Sequence, residues 1–253
     1  MSRSRAFSLL EVTLTMGLFG ILSFLTFLIF RNSSKIFATT SGRDRATAQL
    51  LKAGQALRRD LEMIRTDASA LLIGPVPASL GGGADSDAIL FLSAVDPTNQ
   101  QVQTKPDGSP FWMRNILYYG VIPLDYTKGI DQTMTGSNLG GYEMSCPTKQ
   151  LVRLEVDQNP GNNPNDPTSE DMLVSNFVPL LTRPSAGSST ATRKTVASNL
   201  LSFRCRQFGP ELRIDLRAVS VEEARKDRGF GSTILYDQGR YTLQHTFSVF
   251  GRN

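Results

Sequence analysis

The sequence predicts an α+β fold in which a long N-terminal helix packs on an antiparallel β-sheet. Three observations support this prediction: residues 12–30 are apolar and uncharged, residues 46–64 carry an apolar stripe at helical spacing, and much of the remaining chain divides into short segments bounded by polar loops. With 253 residues, of which 40% are hydrophobic, the chain is long enough to bury a sizeable core.

The apolar run at residues 12–30 is long enough to cross a membrane. As a helix it would extend about 28 Å, which is close to the roughly 30 Å thickness of a bilayer's hydrocarbon core. A cleaved secretory signal has a shorter apolar region, so we expect this segment to remain attached as a single anchor. Basic residues flank it on both sides, with Arg3 and Arg5 before it and Arg31 and Lys35 after it, and they leave its orientation open.

One carboxylate, Glu11, lies at the start of this apolar run. In an ordinary anchor it would sit in the headgroup layer near the helix N-terminus, where the helix dipole tolerates a negative charge. Inside the apolar layer, an ionisable side chain is costly and points to a function with a specific partner. Taken alone, Glu11 favours the ordinary-anchor interpretation.

The residues around Glu11 form a more specific pattern. A short basic leader ends at the small residue Ala6, and the residues FSLLE at 7–11 lead into the apolar helix. This arrangement resembles the N-terminal processing motif of type IV pilins and pseudopilins. The resemblance implies that a prepilin peptidase cleaves between Ala6 and Phe7, that Phe7 becomes N-methylated, and that Glu11 pairs with the N-terminal amine of a neighbouring subunit.

The sequence departs from the usual family pattern at two points. Ala6 stands where the family usually has Gly, a difference that bears on the efficiency of cleavage. The apolar helix also lacks the Pro that major pilins tend to carry, with only Gly17 and Gly20 as weak points, and this absence favours a minor subunit. Four further segments look like those of J-type minor pseudopilins of type II secretion and of PilW-type minor pilins: GQALRRDLEMI, LLSFRCRQF, LRIDLRAV and YTLQHTFSVFGRN.

The resemblance implies a pilin-like fold and a structural role at the tip or in the initiation complex of a type IV pilus or secretion pseudopilus. The expected partners are other minor and major pilins or pseudopilins, the prepilin peptidase and the inner-membrane assembly platform. The expected location is the bacterial inner membrane, with one span and a periplasmic domain, or the cell surface after assembly. The alternative is a signal-anchored periplasmic binding or hydrolytic domain unrelated to pili.

The chain divides into four predicted parts: a leader at residues 1–6, a transmembrane half-helix at 7–30, an amphipathic half-helix at 31–72 and a β-rich domain at 73–253. The Gly- and Pro-rich residues 74–83 are expected to end the helix. Exposed loops are predicted at residues 157–171 and 183–198. Strands are predicted at residues 88–95, 114–121, 151–156, 172–177, 200–208, 211–220 and 241–250.

The sequence gives little sign of catalysis or of a cofactor. His245 is the only histidine, which excludes two-histidine metal motifs, and no phosphate-binding or dinucleotide-binding glycine motif is present. The acidic residues Asp157, Asp166, Glu170 and Asp171 lack EF-hand spacing, so we predict no metal site. The net charge is +4, and the basic residues are spread along the chain, so no direct nucleic-acid binding is expected.

Cys146 and Cys205 are the only two cysteines. An even cysteine count in a domain expected to lie in the periplasm favours a disulfide between them. Two separately buried thiols are the alternative, because Cys205 falls within a predicted strand.

Overall fold

One long helix and a single sheet dominate the part of the chain that the computed structural model describes. This part comprises residues 8–62, 70–77, 80, 82, 86–122, 149–159, 161–181, 190–220 and 242–250. Its elements are α1 (Leu9–Leu61), β1 (Leu71–Pro75), β2 (Asp87–Ser93), β3 (Arg114–Val121), β4 (Lys149–Asp157), a short helix α2 (Val178–Leu181), β5 (Thr190–Phe208), β6 (Glu211–Val219) and β7 (Thr242–Phe250).

The seven described strands form an antiparallel sheet in which each strand pairs with its neighbours in chain order. The long strand β5 joins the two halves, because its first part pairs with β4 and its last part pairs with β6. The sheet curls, and Ser86, the residue before β2, forms a bridge with Phe203 of β5. The predicted α+β class, with a long helix and an antiparallel sheet, is confirmed.

The second half of α1 packs on one face of this sheet. Its buried positions recur every three or four residues, which places them on one side of the helix. They contact the sheet mainly at β5, β6 and β7. The predicted apolar stripe is therefore confirmed as far as Leu61, whereas Ile64 lies outside the described residues. The buried helix residues are Gly42, Ala46, Leu50, Ala53, Gly54, Leu57 and Leu61.

The opposite face of the sheet has a separate apolar core. Successive residues of a strand point to opposite faces, so Phe91 and Tyr118 join the helix-side core while Leu90 and Leu117 join the second one. Residues 173–181, the segment that ends in α2, cover the second core. Phe177 of this segment is buried there. This segment covers the half of the sheet formed by β1 to β4, whereas α1 packs mainly on the other face at β5 to β7.

The prediction of a strand at residues 172–177 is wrong. The segment is irregular, and a buried side chain replaces a neighbouring strand as its hydrogen-bond partner. Asn115 Nδ2 donates to the Met172 carbonyl at 3.0 Å, and Asn115 Oδ1 accepts from the Val174 N–H at 3.2 Å. One asparagine side chain thus satisfies two backbone groups that strand pairing would otherwise have to satisfy.

Two other boundaries also differ from the predictions. The described helix ends at Leu61, before residue 72, and residues 71–75 form the edge strand β1, where Pro75 is tolerated because one side of an edge strand is unpaired. The predicted loop at 183–198 is wrong from Thr190 onward, because Thr190 begins β5. Its threonines suggested a loop, but β-branched residues also favour a strand with one solvent-facing side.

The loop at 157–171 is organised around a buried carboxylate. Asp171 is 1% exposed and accepts hydrogen bonds from the backbone N–H groups of Gln158 and Asn159, both at 3.2 Å. Burial raises the pKa of Asp171. Most of the remaining loop is exposed or half-buried, with a 3-10 turn at Pro167–Ser169, and the prediction of a loop is confirmed.

Candidate functional site

The first turn of α1 is closed by a reciprocal pair of hydrogen bonds between Ser8 and the residues that follow it. Ser8 has extended backbone angles, and its Oγ accepts from the Leu10 N–H at 3.3 Å. The Ser8 N–H donates in return to Glu11 Oε2 at 3.1 Å. This is a capping box, which satisfies backbone donors that a helix start otherwise leaves unpaired.

The capping box gives Glu11 a local role that the sequence interpretation missed. The signal was present, because Ser8 and Glu11 show the S-x-x-E spacing immediately before an apolar run. Cleavage before Phe7 would leave the Ser8 amide intact, so the box would persist in the processed chain. Among the described residues no other hydrogen bond to the Glu11 carboxylate is recorded, and Glu11 is exposed.

The first half of α1 is apolar on all sides and packs against no other described element. The most apolar 18-residue stretch of the helix has a mean hydropathy of 2.2, and none of it is buried. Consecutive or near-consecutive positions such as Leu18, Phe19, Ile21 and Leu22 are all at least 58% exposed. A helix that is apolar all round requires lipid or other helices around it. Its length and composition suit a membrane anchor or a signal sequence.

The hydroxyl groups within this half of the helix are satisfied locally. Thr13 Oγ1 donates to the Leu10 carbonyl at 2.9 Å, Thr26 Oγ1 donates to the Leu22 carbonyl at 2.8 Å, and Thr15 bonds the Glu11 carbonyl in the same way. Such bonds remove the main polar cost of placing threonine in lipid. Glu11 is then the only ionisable side chain from residue 6 to residue 30.

The apolar half and the packed half of α1 form one uninterrupted helix. The element runs for 53 residues without a described break, which corresponds to about 80 Å. Burial begins at Gly42, and no linker separates the apolar segment from the segment that lies on the sheet. A displacement along the helix axis would therefore be transmitted to the sheet.

A buried polar cluster holds the end of α1 on the sheet. Asp60 Oδ2 accepts from Tyr118 Oη on β3 at 2.8 Å and from Arg153 Nε on β4 at 2.5 Å. Glu155 in turn binds both Arg153 and Arg114. Burial, followed by the nearby Asp60 charge, raises the pKa of Tyr118. The cluster joins the helix to two central strands by charge-assisted bonds.

His245 packs between the sheet and the helix. It lies on β7 against Gly54 of α1, and its ring centroid is 5.5 Å from that of Phe247. One helical turn after Gly54, the Arg58 guanidinium covers the Phe247 ring at 5.3 Å. The Arg58 side chain therefore contributes to packing between α1 and β7.

Three of the predicted site residues, Ala6, Phe7 and Cys146, lie outside the described residues. Cys205 lies on β5, is 5% exposed, and its backbone N–H donates to Asp87 Oδ2 at 2.9 Å. Burial raises the pKa of its thiol. Within the described part of the chain Cys205 has no disulfide partner, and its bridge to Cys146 stays a prediction.

The acidic residues considered for calcium have separate hydrogen-bonding partners in the structure. Asp166 accepts from Thr168, Glu170 accepts from the Trp112 N–H and pairs with Lys105, and Asp171 holds its own loop. In the described ranges, no group of three or more histidine, cysteine, aspartate or glutamate side chains is arranged to hold a metal ion.

Comparisons with models of protein families, with curated proteins and with solved structures found no match for this chain. What the protein does must therefore follow from its own residues and their geometry.

Proposed function

We propose that this chain is a minor pilin or pseudopilin with a pilin-like fold. It assembles through its N-terminal helix into the tip or initiation complex of a type IV pilus or a type II secretion pseudopilus. The observation that carries the proposal is the continuity of α1, in which an exposed apolar half passes without a linker into a half that packs on the sheet. A simple anchor needs no such rigid connection, whereas a subunit moved axially within a helix bundle does.

The position of Glu11 supports the same proposal. A charged side chain costs about 2.5–3.5 kcal/mol at the centre of a membrane helix and less near its end. The capping box recovers on the order of 1 kcal/mol and leaves the negative charge in place. A neighbouring subunit's N-terminal amine would neutralise that charge, so assembly relieves a cost that an isolated subunit bears. The pairing also sets the axial register of the two helices.

The domain contributes rigidity and a surface for partner selection. The Asp60 cluster and the packed stripe hold α1 on the sheet, so a force on the helix reaches the whole domain. The proposed partners are other minor and major pilins or pseudopilins, the prepilin peptidase and the inner-membrane assembly platform. The proposed role is structural and non-enzymatic, with the domain in the periplasm or on an assembled filament, and it requires no cofactor.

Mass spectrometry of the mature N-terminus tests this function. In cells that contain a prepilin peptidase, we expect the chain to begin at an N-methylated Phe7. The Ala6→Leu variant should remain unprocessed, because the peptidase must close around the residue before the cut. Ala6→Gly is the matched control and should be processed at least as well as the natural chain. A mature protein that retains Met1 or Arg3 would contradict the proposal and favour a signal-anchored domain.

A further inference from the structure

A basic cavity of about 700 Å³ opens between α1 and the central strands. This volume is within the range of small-molecule sites, roughly 300–1,000 Å³. Most of the charged residues that line it are cationic, and they lie on the helix and on three neighbouring strands. The ionisable residues that line it are Lys52, Arg59, Arg114, Arg153, Glu155 and Lys194.

The carboxylates near this cavity do not neutralise all of its cations. Glu155 binds Arg114 and Arg153, and Asp60 binds Arg153 and Arg59. Lys52 and Lys194 have no ion-pair partner among the described residues, and they lie on different walls, one on α1 and the other on β5.

Arg114, which lines the cavity, has a buried donor without an acceptor among the described residues. Its side chain is 7% exposed, and its Nε is buried without a hydrogen-bond partner in the described part of the chain. Burial, followed by repulsion from Arg153, lowers the pKa of Arg114, although Asp60, Asp96 and Asp157 oppose this effect. A buried guanidinium N–H that lacks an acceptor is costly, and an anion in the cavity would supply one.

We propose that this cavity binds a small polyanion through its carboxylate or phosphate oxygens. Guanidinium groups match the geometry of both oxyanions and can bind them with two parallel hydrogen bonds. Arg59 and Arg114 provide such groups, while Lys52 and Lys194 add point charges from opposite walls. The inference does not rest on the proposed role in pilus assembly.

The position of the cavity along α1 favours a soluble anion over a lipid headgroup. Lys52 follows the end of the apolar run at Phe30 by a stretch of helix about 33 Å long. For a chain anchored by residues 12–30, as proposed above, this distance separates the cavity from the bilayer surface. The proposed ligand is therefore a soluble molecule that bears phosphate or carboxylate groups.

Calorimetric titration of the full chain in a non-ionic detergent tests the site. The probes are inorganic pyrophosphate and citrate, each added at constant ionic strength so that general screening does not change. We expect saturable binding of at least one probe. Tighter binding of pyrophosphate assigns the site to phosphates, tighter binding of citrate assigns it to carboxylates, and equal binding supports the shared oxyanion chemistry.

The variant that removes the two unpaired lysines is Lys52→Gln with Lys194→Gln. Both lysines are exposed, so the fold should persist, and we expect affinity to fall about tenfold or more. The matched control is Arg206→Gln with Arg213→Gln, which removes the same charge from exposed positions on β5 and β6. It should leave affinity within about twofold of the natural chain. Absence of saturable binding at millimolar probe, or equal losses in both variants, would overturn the proposal.

Discussion

His245 and Gly54 are in such close contact that the helix position has no room for a side chain. A Cβ on Gly54 would lie 2.8 Å from His245 Nε2 and 2.9 Å from His245 Cδ2. Gly54 therefore lets α1 approach β7 at the point where Phe247 and Arg58 also pack together. A methyl group at residue 54 would require the His245 ring or the helix to shift.

Gly54→Ala should destabilise the domain. Alanine favours a helix over glycine by about 1 kcal/mol, but the overlap with the His245 ring should cost about 1–3 kcal/mol and exceed that gain. Urea unfolding of the full chain in detergent measures the difference. Adding His245→Ala should remove much of the penalty of Gly54→Ala, since the ring that clashes is then absent. Gly20→Ala is the control, because nothing lies within 4 Å of that position. Equal stability of Gly54→Ala and the natural chain would contradict the contact.

Asp60→Ala should be among the more destabilising single changes in the described chain. It leaves Arg153 and Tyr118 without their shared acceptor, and the Asp60 and Arg153 side chains are only 9% and 11% exposed. Breaking a buried ion pair costs about 3–5 kcal/mol when the remaining charge has no other partner. Arg153 keeps Glu155, so we expect a loss of about 2–3 kcal/mol. Arg213→Gln breaks a 3.7 Å pair with Asp215 in which Arg213 is exposed, and it should cost about 0.5 kcal/mol or less in the same unfolding assay. Similar losses for the two variants would refute the role of the cluster.

The free energy of unfolding should fall at high pH through Tyr118. Its pKa is raised in the folded state by burial and then by Asp60. Above the ordinary tyrosine pKa, the unfolded chain loses this proton while the folded chain keeps it. The contribution of protonated Tyr118 to the free energy of unfolding is therefore complete below about pH 10. Above that pH it is lost, at no more than about 1.4 kcal/mol per pH unit. Between pH 9 and 11, the free energy of unfolding should fall less steeply with pH for Tyr118→Phe than for the natural chain. Parallel pH profiles for the two proteins would count against this linkage.

Cys146 and Cys205 should form a disulfide in protein purified from the periplasmic side of the membrane. Burial of Cys205 and its raised thiol pKa would slow alkylation of the native protein even without a bridge. The decisive measurement is therefore maleimide labelling after denaturation without reductant, which should modify neither cysteine. Reduction before labelling is the control and should expose both. A bridge across this loop would contribute about 4 kcal/mol to stability. Two thiols labelled without reductant would rule it out.

Substitutions at Glu11 separate its capping role from its charge. Glu11→Gln keeps an acceptor for the Ser8 N–H but removes the charge, whereas Glu11→Ala removes both. We expect both variants to insert into the membrane and to lose crosslinking to partner pilins, and we expect Glu11→Asp to be intermediate. If Glu11 serves only the capping box, Glu11→Gln will crosslink like the natural chain while Glu11→Ala will not. Natural levels of crosslinking in both variants would contradict subunit pairing.

Strong local periodicity allowed several elements to be predicted from the sequence alone. The predicted apolar stripe is buried from Ala46 to Leu61, and the strand predicted at residues 211–220 was found as β6. Helix and strand geometry place such residues on one side of their element whatever they pack against. The spacing of Ser8 and Glu11 also determines where the helix starts, because the two residues form a capping box.

Non-local partners decided the rest. Residues 172–177 and the first part of β5 both have compositions compatible with strand or loop, and Asn115 and β4 respectively determine their conformations. The same holds for the candidate site. Asp60 binds Arg153, which is 93 residues away in sequence, and Gly54 contacts the His245 ring of β7. The sequence by itself determined the apolar helix, its capped start and its amphipathic continuation. Only the tertiary structure decided which segments pair and where the basic cavity forms, because these depend on contacts between residues distant in the chain.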